Sequence, residues 1–306
     1  MPSLETALFS CFTPGEKVIA GLSGGTFSAL AAWAAKEAGG VVEGVTLLLY
    51  EDDIRGAEKT AARLGINLNV ADYRSFFGED VLSVYFSALK DGRVPLTCEF
   101  CAARGRTAYL FKEFTRLNAQ KFVTGDLARV AAWKDGYAVY KARSGRDASR
   151  SLALVNPLAL PYMLTPLGEA ESSGKLLLLA KKLGLDNPPD RKKPCSPSSA
   201  GVLESIGANA LCTVSPMSEI PEKRDSYIRN IRLANTVFRK DEPPVSEVSL
   251  VLGRGYKKIP ALLEIFFGGE ASILTDKPMP PPPRGEIAAL YSGERLIGGG
   301  ICRRYE

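Results

Sequence analysis

The stretch KVIAGLSGGTFSALAAWAAKEA, Lys17 to Ala38, decides the fold. Its opening, KVIAGLS (17–23), is the short and nearly continuous apolar run that a fully buried strand requires. Small residues follow, and the alanine-rich pattern from Thr26 to Ala38 predicts a helix. A buried strand turning through SGGTFS, Ser23 to Ser28, into a helix is the first unit of an alternating chain. Outward from it the alternation continues. GVTLLLY (44–50) reads as a second strand, and DIRGAEKTAARL (53–64) as an amphipathic helix stopped by Gly65. INLNVADY (66–73) reads as a third strand, residues 106–118 as a helix, and KFVTGD (121–126) as a further strand. Such alternation predicts an α/β fold with a doubly wound, mostly parallel sheet.

The pattern then changes twice. From 145 to 205 it loosens around a helix-like stretch at 171–184 and a turn-rich loop, DNPPDRKKPCSPSS (186–199). Over the last hundred residues VSEVSLVLG (245–253), ALLEIFFGG (261–269) and GEIAALYSGERLIGGGI (285–301) are short apolar runs punctuated by glycine and proline. These predict a small C-terminal β-barrel, with YSGERL as a hairpin and KPMPPPPRG (277–285) as a stiff connector. The expected division is 1–205, a short connecting region over 206–240, and the barrel over 241–306.

Composition narrows the chemistry. With 306 residues, two domains of ordinary size are expected. No apolar run approaches the ~18 residues of a membrane span, and LLLLA (176–180) is flanked by lysines. Glu5 interrupts the apolar start, which argues against a secretory signal, so a soluble, cytoplasmic chain is expected. A net charge of +5 permits a polyanionic partner without requiring one. Histidine is absent, which excludes histidine triads, histidine bases and histidine-bearing zinc sites. Six cysteines are too few for a disulfide scaffold.

Three features carry candidate chemistry. In SGGTFS the small residues allow close backbone approach, and the helix start offers N–H groups to an anion. The loop lacks both the Walker lysine and the dinucleotide-binding glycine spacing. Cys98 and Cys101, as CEFC, can share one soft metal or close a redox disulfide. Cys195 sits in a polar loop beside Arg191, Lys192 and Lys193, where thiolate is favoured. Cys11, Cys212 and Cys302 stand in apolar contexts and read as core residues. Arg104, Arg106, Lys112, Arg116, Lys121 and Arg129 are candidates for lining a phosphate-rich ligand, against the simpler reading as solvated faces.

Taken in order, these segments resemble the PP-loop ATPases, and among them the tRNA-specific 2-thiouridylases. SGGTFS is similar to that family's SGGxDS pyrophosphate loop. GRVPLTCEFC (92–101) resembles its G-R-T-P-N-P-D-x-x-C segment, and TGDLARV (124–130) its T-G-H-Y-A-R. SGRDASRSL (144–152) lies where K-D-Q-S-Y-F-L is expected, and a P-L-G segment with its helix follows at TPLGEAESSGKLLLLAKKLGL (165–185). Phe27 stands at the loop aspartate, Asp126 at the histidine, and Arg146 and Ala148 at the lysine and glutamine.

The resemblance implies ATP-dependent adenylation of an acceptor oxygen on tRNA, followed by sulfur insertion. It implies phosphate contacts from Ser23, Gly24, Gly25, Thr26, Ser28 and Gly125, with ATP and Mg2+ as cofactors. Related sulfur-transfer members with CxxC and one distant cysteine hold a 4Fe–4S cluster, which implies Cys98, Cys101 and Cys195 as its ligands. Sulfide or a persulfide carrier is the implied sulfur donor. Two alternatives stay open: Cys101 and Cys195 as a persulfide and resolving pair, and an altered PP-loop protein that binds nucleotide or a cluster without adenylating.

Overall fold

The computed structural model describes residues 3–49, 54–91, 100–186, 228–239, 241–252 and 257–305. Cys98, Cys195, Cys212 and the RKK run at 191–193 lie outside them. After a short helix α1 (Leu4–Phe9), strands β1 (Lys17–Gly21), β2 (Val41–Leu48) and β3 (Leu68–Asp72) alternate with helices α2 (Thr26–Glu37) and α3 (Arg55–Leu64). Helix α4 (Arg74–Phe77) runs through a π turn (Gly78–Leu82) into α5 (Ser83–Lys90). A second π turn (Cys101–Arg106) leads into α6 (Thr107–Arg116) and β4 (Lys121–Val123). Strands β5 (Ala128–Trp133), β6 (Gly136–Lys141) and β7 (Met163–Leu164) precede α7 (Ser173–Leu183).

One sheet has the order β3-β2-β1-β4-β7, parallel throughout. Its central strand is buried on both faces, with Val18, Ile19 and Ala20 at most 1% exposed. Helix α2 packs on it through alanines, whose small side chains let the helix come close; Ala29, Ala32, Ala34 and Ala35 are fully buried. Helix α3 buries Ala57, Thr60, Ala61 and Leu64, one stripe of its surface, and ends on Gly65 in the left-handed conformation at φ 59°.

The second sheet contains β8 (Ile228–Phe238), β9 (Val245–Val251), β10 (Lys258–Phe266), β11 (Glu270–Met279), β12 (Ile287–Ser292) and β13 (Arg295–Tyr305). The order β12-β9-β10-β11-β8-β13 closes through β12 and β13 into a six-stranded antiparallel barrel. The predicted α/β division and barrel, including the hairpin at Ser292–Arg295, are present. Strand β8 falls in the stretch expected to be connector, so the barrel takes in residues before 241. Strand β11 continues through Pro278 to Met279, where its register with β8 is broken and a missing N–H is tolerated. The hairpin of β5 and β6, whose turn is Lys134–Asp135, was not among the expected elements. That hairpin adds to the barrel sheet, β6 pairing with β13 at Tyr140–Arg295 and Val139–Leu296.

Polar contacts fasten the β5–β6 hairpin and the segment after it to the barrel. Arg150 pairs with Glu286 at 2.8 Å, both nearly buried, and the Ser149 and Tyr291 hydroxyls meet at 2.9 Å. Arg129 reaches Glu294 on the barrel hairpin at 2.8 Å. Among the described residues no helix is long and apolar enough to cross a membrane.

Candidate active site

The parallel sheet reverses its order between β1 and β4, since β2 and β3 lie on one side and β7 on the other. In an open α/β sheet, ligands sit outside the carboxyl ends of the strands at such a reversal. Two segments leave the sheet there: Ser23–Ser28 after β1 and Thr124–Asp126 after β4.

The loop after β1 is held by close backbone packing. Gly24 adopts φ +78°, and its carbonyl lies so near Gly56 that a Cβ there would stand 2.8 Å from it. Gly25 is the N-cap of α2 and contributes no side-chain cap, so the positive end of the helix dipole is presented at the crevice. The Ser28 hydroxyl is buried, donates to the Gly25 carbonyl at 2.8 Å and accepts from the Ser23 N–H at 3.2 Å. Ser28 therefore shapes the loop from within. Ser23 is exposed and Thr26 half-buried at its rim.

Gly125 brings the second segment against the first. A Cβ at 125 would stand 2.6 Å from the Phe27 carbonyl carbon and the Ser28 nitrogen. The neighbouring Asp126 is buried; its carboxylate accepts from the Thr124 hydroxyl at 2.9 Å and pairs with Arg106 at 2.9 Å. Arg106 closes the π turn that begins at Cys101, and Gly105 inside that turn leaves helical geometry at φ −97°, ψ −105°. The Arg106–Asp126 pair thus ties the turn bearing Cys101 to the Ser23–Ser28 side of the sheet. Cys101 is half-buried.

Neighbouring side chains are tuned differently. Burial, then a hydrogen bond to Asp80 at 3.0 Å, holds the Tyr109 hydroxyl above its ordinary range, so it acts as a fixed donor. Burial pushes the Cys11 and Cys302 thiols up to about 12, consistent with their reading as core residues. Among the described residues no three metal-ligating side chains gather. Of the three cysteines implied as cluster ligands, only Cys101 is described.

A third segment completes the crevice. The Arg146 guanidinium lies 5.4 Å from the centre of the Phe27 ring, within cation–π distance. Its loop is rigidly built: Asp147 accepts from the Ala142 and Ser149 N–H groups at 3.1 and 3.0 Å, and Ser144 donates to the Arg146 carbonyl at 2.9 Å.

Comparison with known proteins places this arrangement. Residues 16–195 match the family model described as tRNA methyl transferase HUP domain. The tRNA-specific 2-thiouridylase MnmA of Rhodospirillum centenum is 32% identical, over 95% of this chain and 92% of that one. The chain belongs to the tRNA-specific 2-thiouridylase family. The Rhodospirillum rubrum member is 31% identical over 59% of this chain and 53% of its own. Among solved structures, a 4-thiouridine synthetase in complex with RNA and ATP matches at 15% identity, covering 63% of this chain and 50% of that one, with a TM-score of 0.39.

Within this 2-thiouridylase family member, the structure brings Ser23–Ser28 and Gly125 together and joins Cys101 to them through Arg106 and Asp126. Sequence reasoning overlooked Gly56, whose signal was a glycine inside an amphipathic helix, and the Arg146–Phe27 contact. The latter is a pairing of distant residues with no local signature.

Proposed function

We propose that this chain transfers sulfur to a uridine of tRNA, using ATP to activate the acceptor oxygen. The observation that carries the reading is the convergence at the sheet reversal, where Arg106 and Asp126 couple the Cys101 turn to the loop of Ser23–Ser28. In the reaction the uridine oxygen attacks the α-phosphate and pyrophosphate departs. A sulfur nucleophile then adds to the same carbon, and AMP carries the oxygen away. Backbone N–H groups of Gly25 and Thr26 and the dipole of α2 suit the phosphate charge.

Cys101 is the sulfur-handling residue of this reading, with Cys98 and Cys195 as its partners. Three thiolates form a soft donor set that suits iron, so the same cysteines fit a 4Fe–4S cluster. Such a cluster, when bound, supplies an iron without a protein ligand on which sulfide can be carried. Sulfide is the donor to such a cluster. The simpler alternative needs no metal. A persulfide carrier passes its outer sulfur to the Cys101 thiolate and leaves as a thiol. That sulfur displaces AMP from the uridine carbon, and Cys195 attacks Cys101 to free the thiolated base and leave a Cys101–Cys195 disulfide.

One observation favours a second reading, in which the chain binds nucleotide but has lost adenylation. Phe27 occupies the first turn of α2, which carries no acidic residue. Incubation of the full chain with unmodified tRNA, ATP and, in separate arms, sulfide or a persulfide carrier, followed by nucleoside mass spectrometry and pyrophosphate assay, separates the two. The first reading expects 2-thiouridine and pyrophosphate in wild type, and in Cys101→Ala pyrophosphate without 2-thiouridine. Nucleotide binding without either product supports the second. Anaerobic reconstitution with iron counting addresses the cysteines; protein that stays colourless favours the persulfide pair.

A further inference from the structure

Mg2+ is usually held by one or two carboxylates together with the phosphates of its nucleotide. Among the described residues the crevice lacks that donor set. The first turn of α2 has no acidic residue, and the buried Asp126 beside it already pairs with Arg106 and accepts from Thr124. Among the described residues no cluster of metal-ligating side chains exists. The described residues do not fit a divalent cation. Where a carboxylate would stand, Phe27 instead supports the guanidinium of Arg146 at 5.4 Å.

Arg146 is well placed for the missing charge. It is exposed, and among the described residues no carboxylate pairs with it. Its backbone is fixed by Ser144 and Asp147, and Ala148 donates to the Leu127 carbonyl at 2.8 Å, one residue beyond Asp126. Guanidinium is permanently charged, stacks on aromatic rings and binds phosphate with paired donors.

We propose that the loop binds the metal-free nucleoside triphosphate, with Arg146 replacing the divalent cation as counter-charge. This rests on the reading that Ser23–Ser28 receives nucleotide phosphates. Titration calorimetry of the full chain with ATP, once in EDTA and once in excess MgCl2, tests it. Binding in EDTA should be at least as tight as in MgCl2. Arg146→Ala should weaken it about tenfold or more, as loss of a charged hydrogen bond predicts, with the thermal midpoint unchanged. Arg146→Lys should fall between the two. Phe27→Asp combined with Arg146→Ala should make binding depend on Mg2+. Wild-type binding that requires MgCl2, or an Arg146→Ala affinity equal to wild type, would overturn the proposal and leave the nucleotide reading intact. Binding under neither condition would overturn both.

Discussion

Gly125 offers the sharpest test of how the crevice is built. Replacing it with alanine puts a Cβ 2.6 Å from the Phe27 carbonyl carbon and the Ser28 nitrogen, and 2.8 Å from the Phe27 oxygen. Ordinary contact starts at 3.4 Å, so the segments must part by about 0.8 Å (3.4 − 2.6). All three obstructing atoms are backbone, and α2 has little room to retreat, with Ala29, Ala31, Ala32, Ala34 and Ala35 at most 1% exposed. Overpacking of this kind costs about 1–3 kcal/mol. A displacement near 1 Å at a positioning loop can also cost roughly 100-fold in rate. Urea unfolding followed by tryptophan fluorescence should show the stability loss, and calorimetry should show weaker ATP binding. Gly78→Ala, where nothing lies within 4 Å of the added carbon, serves as the control and should change neither. A Gly125→Ala protein with the wild-type urea midpoint and ATP affinity would refute the close-packing argument.

Further outcomes follow from contacts in and beside the barrel. Glu242 is buried against Arg295, so Arg295→Met should cost about 3–5 kcal/mol in urea unfolding, and adding Glu242→Leu should recover most of it; a single-variant loss below about 1 kcal/mol would contradict this. Tyr291→Phe removes the hydroxyl contact to Ser149, which keeps its bond to Asp147 at 2.8 Å, and should cost about 1 kcal/mol. Burial raises the Cys302 thiol from 9.0 to about 12, so the unfolded chain releases its proton first. Its contribution is complete below pH 9 and is lost as pH rises toward 12, making the unfolding midpoint fall in that window. Cys302→Ala should flatten the decline, and superimposable alkaline curves would count against the burial argument.

The α/β half was legible because its signals are local. The apolar run at 17–23, the alanine helix and Gly65 as a stop each declare themselves within a few residues. The barrel strands were legible for the same reason, down to the Gly293–Glu294 turn between Ser292 and Arg295. The hairpin of β5 and β6 was missed although Asp135–Gly136 is a common turn signal. Its partner strand lies more than 150 residues away, and nothing near 130 announces that pairing. The site divides likewise. SGGTFS could be read from its local pattern and Gly125 from the family resemblance, whereas Asp126 with Arg106 and Phe27 with Arg146 join residues that only the fold brings together.

The pairing of β6 with β13 also sets a schedule for synthesis. Strand β6 ends at Lys141, whose N–H donates to the Glu294 carbonyl at 2.9 Å, and β13 pairs with its edge from Arg295. At roughly 5–20 residues per second, the 154 residues from 142 to 295 (295 − 141) take about 8–30 s to emerge from a ribosome. Throughout that interval the hairpin carries an unsatisfied strand edge, open to adhesion by any passing extended chain. Slow codons or a stall between those positions would lengthen the exposure, and a helper protein that masks strand edges would have its work there.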